Sequence, residues 1–204
     1  MIKVGIVDSG FETDCGYGAS FFKNGSIIFD ETTHQCNHGN IIASLIQQTG
    51  LELYSAKVFH ESLTTSPQQV ANALDYLIRQ NVALIHMSLG MRSDHLMIRE
   101  RCRIFLDKGG IIVASTPTQA IDEVYPAAYD GVIRVCADGR CEGNQISLLD
   151  KSPLRLGASP ISTDPMVRGS SVAAARVSRV MSLSLVQGIS SKELLETLHI
   201  SGQS

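Results

Sequence analysis

Apolar residues recur along this chain in two rhythms, as short continuous runs and as longer stretches with a period near 3.6. The first run is Val4 to Val7, β-branched at three of its four positions and stopped by Asp8-Ser9-Gly10, as a buried parallel strand stops in a loop. Similar runs stand at Leu53 to Phe59, Val82 to Gly90, Ile111 to Ala114 and Val132 to Ala137, with shorter ones at Ser26 to Phe29 and Gln145 to Leu149. Between them lie helical stripes: Ile41, Ile42, Ala43, Leu45 and Ile46; Val70, Ala73, Leu74, Leu77 and Ile78; residues 93–108; and Ala173 through Leu183. Residues 11–26 read as loop. Pro67 after Ser66 marks a helix start, Gly109-Gly110 a helix end, and Ser190 with Glu193 a capping box before a last short helix. The alternation predicts an α/β fold, a doubly wound, mostly parallel sheet flanked by helices in a single compact domain spanning residues 1–204.

Composition narrows the function classes. The 204 residues are 44% hydrophobic, enough for a sizeable core. A net charge of −3 without Lys/Arg blocks argues against nucleic acid or a membrane surface as partner, since both need a concentrated basic face. No apolar run is long enough to span a bilayer. Met1 leads directly into a strand pattern, so the expectation is a cytoplasmic protein with neither a signal peptide nor a pro-segment. Cys15, Cys36, Cys102, Cys136 and Cys141 form no disulfide framework and suit a reducing compartment.

The candidate chemistry centres on Gly169-Ser170-Ser171, where a tight turn delivers Ser171 to the start of a helix. Unpaired N–H groups and the positive end of the helix dipole there stabilise an oxyanion. Asp8 at a strand end and His38 at another helix start complete the residue types of an acyl-transfer site. In those roles Ser171 attacks a carbonyl carbon, His38 takes its proton and passes it to the leaving amine, and Asp8 orients the imidazole. Each residue also has a plainer reading: Asp8 as a turn former, His38 and Ser171 as helix caps. The alternation of His34, Cys36 and His38 is, in an extended segment, also a spacing that holds zinc or copper. Cys136 and Cys141 flank a turn and are read as reduced.

Four blocks carry a resemblance. Val7-Asp8-Ser9-Gly10, His38-Gly39-Asn40, Ile85-His86-Met87-Ser88-Leu89-Gly90 and Gly169-Ser170-Ser171-Val172-Ala173-Ala174 resemble, in order, the signature blocks of the subtilisin-like serine proteases, the peptidase S8 family, here in a minimal form. Tyr125-Pro126-Ala127-Ala128-Tyr129 resembles the segment after that family's oxyanion asparagine. The resemblance implies a serine endopeptidase with catalytic Asp8, His38 and Ser171, no cofactor and no metal. Its peptide or protein substrate would lie extended against Ser88, Leu89 and Gly90, with Ser115 and Pro117 also lining the site. Thr118 stands where the family has the oxyanion asparagine, so the expected oxyanion donors are Thr118 and the Ser171 amide. Asn40, His86 and Ala175 replace the family's threonine, asparagine and proline. One expectation is an enzyme dedicated to maturing a single intracellular, modified peptide precursor. The alternative is a weak or inactive peptide-binding module of the same fold.

Overall fold

The computed structural model describes residues 1–12, 17–29, 37–62, 64–119, 123–151, 153–190 and 193. Among these residues nine strands form one sheet: β1 (Ile2–Asp8), β2 (Tyr17–Phe21), β3 (Ile27–Phe29), β4 (Leu51–Lys57), β5 (Leu84–Met87), β6 (Ile111–Ser115), β7 (Ile133–Ala137), β8 (Ile146–Lys151) and β9 (Leu154–Ala158). Their order is β3-β2-β4-β1-β5-β6-β7-β9-β8, and only the outermost pairs, β2·β3 and β8·β9, are antiparallel. The doubly wound, mostly parallel sheet expected from the alternation is therefore present. Four helices flank it among the described residues: α1 (Asn37–Ile46), α2 (Pro67–Arg79), α3 (Leu96–Asp107) and α4 (Ser170–Val186). None is long and apolar enough to cross a membrane.

Each face of the sheet has its own apolar layer. On one, Leu74 and Leu77 of α2 and Cys102 and Phe105 of α3 pack on Val7, Ile85, Met87 and Ile112. On the other, Ile42 and Ile46 of α1 and Val172, Ala173, Val177 and Met181 of α4 pack on Val4, Ile6, Val113 and Val135. Small residues at the start of α4 let that helix press close to the strands. Gly5 in β1 does the same for α2, because a Cβ there would stand 2.7 Å from the Leu77 methyls.

Most element boundaries follow local chemistry. Ser66 caps α2 through a reciprocal box with Gln69, and Gly109, at φ 83°, takes the left-handed turn beyond α3. The expected helix from Ser93 begins instead at Leu96, because Asp94 forms an ion pair with Arg99 rather than capping the first turn. Two strands depart from the sequence reading. β2 lies inside the expected loop, where Gly18 and Ser20 interrupt any apolar run, and β9 has no counterpart among the expected runs. Ser190 and Glu193 make the reciprocal bonds of a capping box, while the helix expected after them falls outside the described residues.

The far end of α1 is tied to the middle of α4. The Arg179 guanidinium donates to the carbonyls of Leu45 and Gln47, and the Gln48 amide donates to the Arg179 carbonyl. Leu77→Ala empties the space above Gly5, and a loss of about 2–5 kcal/mol in unfolding free energy is expected by denaturant titration.

Candidate active site

Asp8 ends β1 between β4 and β5, where the chain switches from building one half of the sheet to building the other. Open α/β sheets leave a crevice at that point. Asp8 is 1% exposed. Its Oδ1 accepts from the Ser9 amide at 2.6 Å and from His38 Nδ1 at 2.8 Å. That bond fixes the tautomer of neutral His38, leaving Nε2 as the proton acceptor.

The start of α1 is held against the β1 loop by two further bonds. The Gly39 amide donates to Ser9 Oγ at 3.1 Å, and Asn40 Oδ1 accepts from the Glu12 amide at 2.8 Å. Gly39 must lack a side chain, since a Cβ there would collide with the Gly10 carbonyl. His38 is thus placed by Ser9 and Asn40 as well as by Asp8.

Ser171 sits in the first turn of α4. The N-cap is Gly169, at φ 101°, with no side-chain cap bond, so Ser171 is no cap residue. The first intrahelical bond runs from the Ala173 amide to the Gly169 carbonyl, and the Ser171 amide precedes it. Ser170 Oγ accepts from the Ala137 amide, anchoring the turn to the end of β7.

Two contiguous hollows of about 430 Å³ and 520 Å³ meet at Ser171. The first contains Asp8, His38, Phe59, Thr64 and Thr65; the second contains Ser115, Thr116, Pro117, Val124 and Arg92. Ser88, Leu89, Gly90 and Met91 line both. Ser171 and His38 both line the first hollow, with no direct hydrogen bond between them. Met91 forms an antiparallel bridge with Tyr125, its amide and carbonyl both engaged. Val124 closes over Gly90, where a Cβ would meet its Cγ1 at 2.6 Å.

The structure thus brings Asp8, His38, Ser171, Ser88, Leu89, Gly90, Ser115 and Pro117 to one cleft. It does not bring Thr118 there. Thr116 bonds back to the Val135 carbonyl, so the chain beyond Pro117 runs along the end of β7, and the Thr118 hydroxyl donates to the Ala137 carbonyl at 3.2 Å. The hydroxyl expected at the oxyanion is thus engaged at the end of β7 in this structure. His34 and Cys36 fall outside the described residues, and no metal-holding cluster occurs among the described ones. Cys136 and Cys141 are buried free thiols. Phe59, Thr64, Thr65, Met91, Arg92, Thr116 and Val124 line the cleft without having been singled out in the sequence. They sit in loops beyond strand ends, where periodicity carries no signal.

The sheet order and the cleft at its switch point define a subtilisin-like protease fold. Among solved structures, that of the nisin leader peptidase NisP from Lactococcus lactis superposes with a TM-score of 0.71 over 96% of this chain and 81% of that one, at 18% identity. In sequence the chain is 24% identical over 159 residues to the minor extracellular protease Epr of Bacillus subtilis, covering 72% of this chain. It is 27% identical over 149 residues, 66% of the chain, to a thermostable alkaline protease of Halalkalibacterium halodurans. The matches span 24% and 41% of those two relatives' lengths. No family model matches the chain.

Burial alone would push the His38 imidazole down, but the hydrogen bond and the charge of Asp8 outweigh it and raise it above the ordinary 6.5. In Asp8→Asn the burial effect remains and the raising effects go. An NMR titration of the His38 ring is therefore expected to give a midpoint above 6.5 in the wild type and a lower one in the variant.

Proposed function

We propose that the protein is a serine endopeptidase working through Asp8, His38 and Ser171. The observation that carries the reading is the 2.8 Å bond from His38 Nδ1 to a buried Asp8, at a cleft that Ser171 also lines. With substrate extended along Ser88 to Gly90, Ser171 Oγ attacks the scissile carbonyl carbon while His38 Nε2 accepts its proton. Collapse of the tetrahedral species expels the amine, protonated by His38, and leaves an acyl ester on Ser171. Water, deprotonated by His38, then attacks the ester and restores the serine. The Ser171 amide stabilises the oxyanion at the helix start. Because His38 must be neutral to act and its pKa is raised, activity falls as pH drops through a midpoint above 6.5.

The natural substrate in this reading is a single intracellular, modified peptide precursor. The likeness in fold to a leader peptidase supports it. A cytoplasmic setting is supported by the buried free thiols Cys102, Cys136 and Cys141. A second reading, a peptide-binding module with slow chemistry, is favoured by one observation: the Thr118 hydroxyl is taken up by Ala137, and loss of one oxyanion donor costs on the order of 10²–10³ in turnover.

A fluorophosphonate probe read by intact mass separates the two. The wild type is expected to gain one adduct and folded Ser171→Ala none; a folded wild type that stays unlabelled overturns the protease reading. Equal degradation of a candidate precursor and of unrelated unfolded proteins would sink the dedicated substrate. Specificity has its own test. Among the described residues Arg92 is the one charged side chain lining the second hollow, so peptides with Asp or Glu before the scissile bond are expected to be cut about fivefold better than neutral ones, the size of an exposed ion pair. Arg92→Glu is expected to reverse that preference in kcat/KM.

A further inference from the structure

His86 is a buried titratable side chain that the proposed reaction does not use. It lies on β5, between β1 and β6, and is 0% exposed. Its Nδ1 shares a 3.0 Å hydrogen bond with Ser178 Oγ, and its Nε2 a 2.6 Å bond with Ser88 Oγ. Burial, joined by the nearby His38 and opposed by the Asp8 charge, pushes it down to about 4. The ring is therefore neutral at ordinary pH, with one nitrogen donating and the other accepting.

The two serines it joins belong to the two sides of the cleft. Ser178 lies seven residues beyond Ser171 on α4, about two turns of helix and hence on the same face. Ser88 lies two residues beyond His86, just past the end of β5, and opens the segment that lines both hollows. An unbroken path of hydrogen bonds thus runs from the helix that carries Ser171, through the ring, to the segment that faces substrate. An apolar side chain of similar volume would fill the space but leave the Ser178 and Ser88 hydroxyls without this partner.

We propose that His86 is a positioning residue, a neutral strut that sets where Ser88 to Gly90 stand relative to Ser171 and so aligns an extended peptide with the nucleophile. The inference rests on the protease reading above. It goes beyond that reading in assigning peptide alignment to a residue that touches neither substrate nor triad.

The full-length chain tests it in two assays. Fluorophosphonate labelling needs the activated serine but no extended peptide, whereas cleavage of a peptide spanning the cleft needs both. In His86→Leu, kcat/KM for the peptide is expected to fall about tenfold to a hundredfold, as a misplacement near 1 Å does, while the labelling rate stays within about threefold. His86→Gln, which keeps a donor and an acceptor, is expected to recover most of the loss. Ser178→Ala removes the strut's far end without touching the cleft and is expected to show the same split if His86→Leu fails to fold. Unchanged peptide kcat/KM in these variants overturns the strut. So does a parallel fall of labelling and cleavage that tracks a drop in Tm, because that is what a merely structural residue gives. A wild type that does not label overturns the protease reading instead, and the strut with it.

Discussion

A carboxylate taken almost wholly out of water has to be compensated, and the whole site is arranged around meeting that demand for Asp8. Its Oδ1 is satisfied twice, by the Ser9 amide and by His38 Nδ1. Its Oδ2 is buried without a hydrogen-bond partner among the described residues. Leaving a buried charge half satisfied is expensive, so the imidazole that answers it is held firmly and its proton affinity rises. Stability follows the same linkage. The raised His38 pKa contributes stabilisation that is full below the unfolded value near 6.5 and is lost as pH climbs through the folded one. The neutral form of His38 is thus the one that forgoes this stabilisation.

The parallel pairing of β1 with β4 and β5 puts that carboxylate where two helix starts can converge on it. α1 delivers His38 and α4 delivers Ser171, both from the side of the sheet packed with Ile6, Ile42, Val172 and Val177. Opposite them, the Met91 bridge to Tyr125 occupies one end of the cleft segment and leaves Ser88 to Gly90 lining the same hollow as Ser171. The two sides of the cleft are then linked through the interior by His86.

Much of this was legible in the sequence because it depends on local chemistry. Val4 to Val7 ending in Asp8, the Ser66 and Gln69 box, and Gly169 before a run of small residues each declare an element and its end. The triad candidates stood out through the four blocks, and the structure brings them to one cleft. What stayed hidden depends on long-range partners. Gly18 and Ser20 give β2 no apolar run, and it is a strand because β4 pairs with it. Thr118 matched an oxyanion position by spacing alone, and nothing local announces that the Ala137 carbonyl will take its hydroxyl. His86 was visible as a departure, but its meaning required Ser178, 92 residues away.

The clamp at Arg179 gives the pair of helices a mechanical character. Arg179 lies eight residues past Ser171, about 12 Å along the axis at 1.5 Å per residue, and grips the C-terminal end of α1, the helix that carries His38 in its first turn. The two helices are therefore joined behind His38 and Ser171, at a contact that lines neither hollow of the cleft, so the spacing of those two side chains leans partly on residues that do not border it.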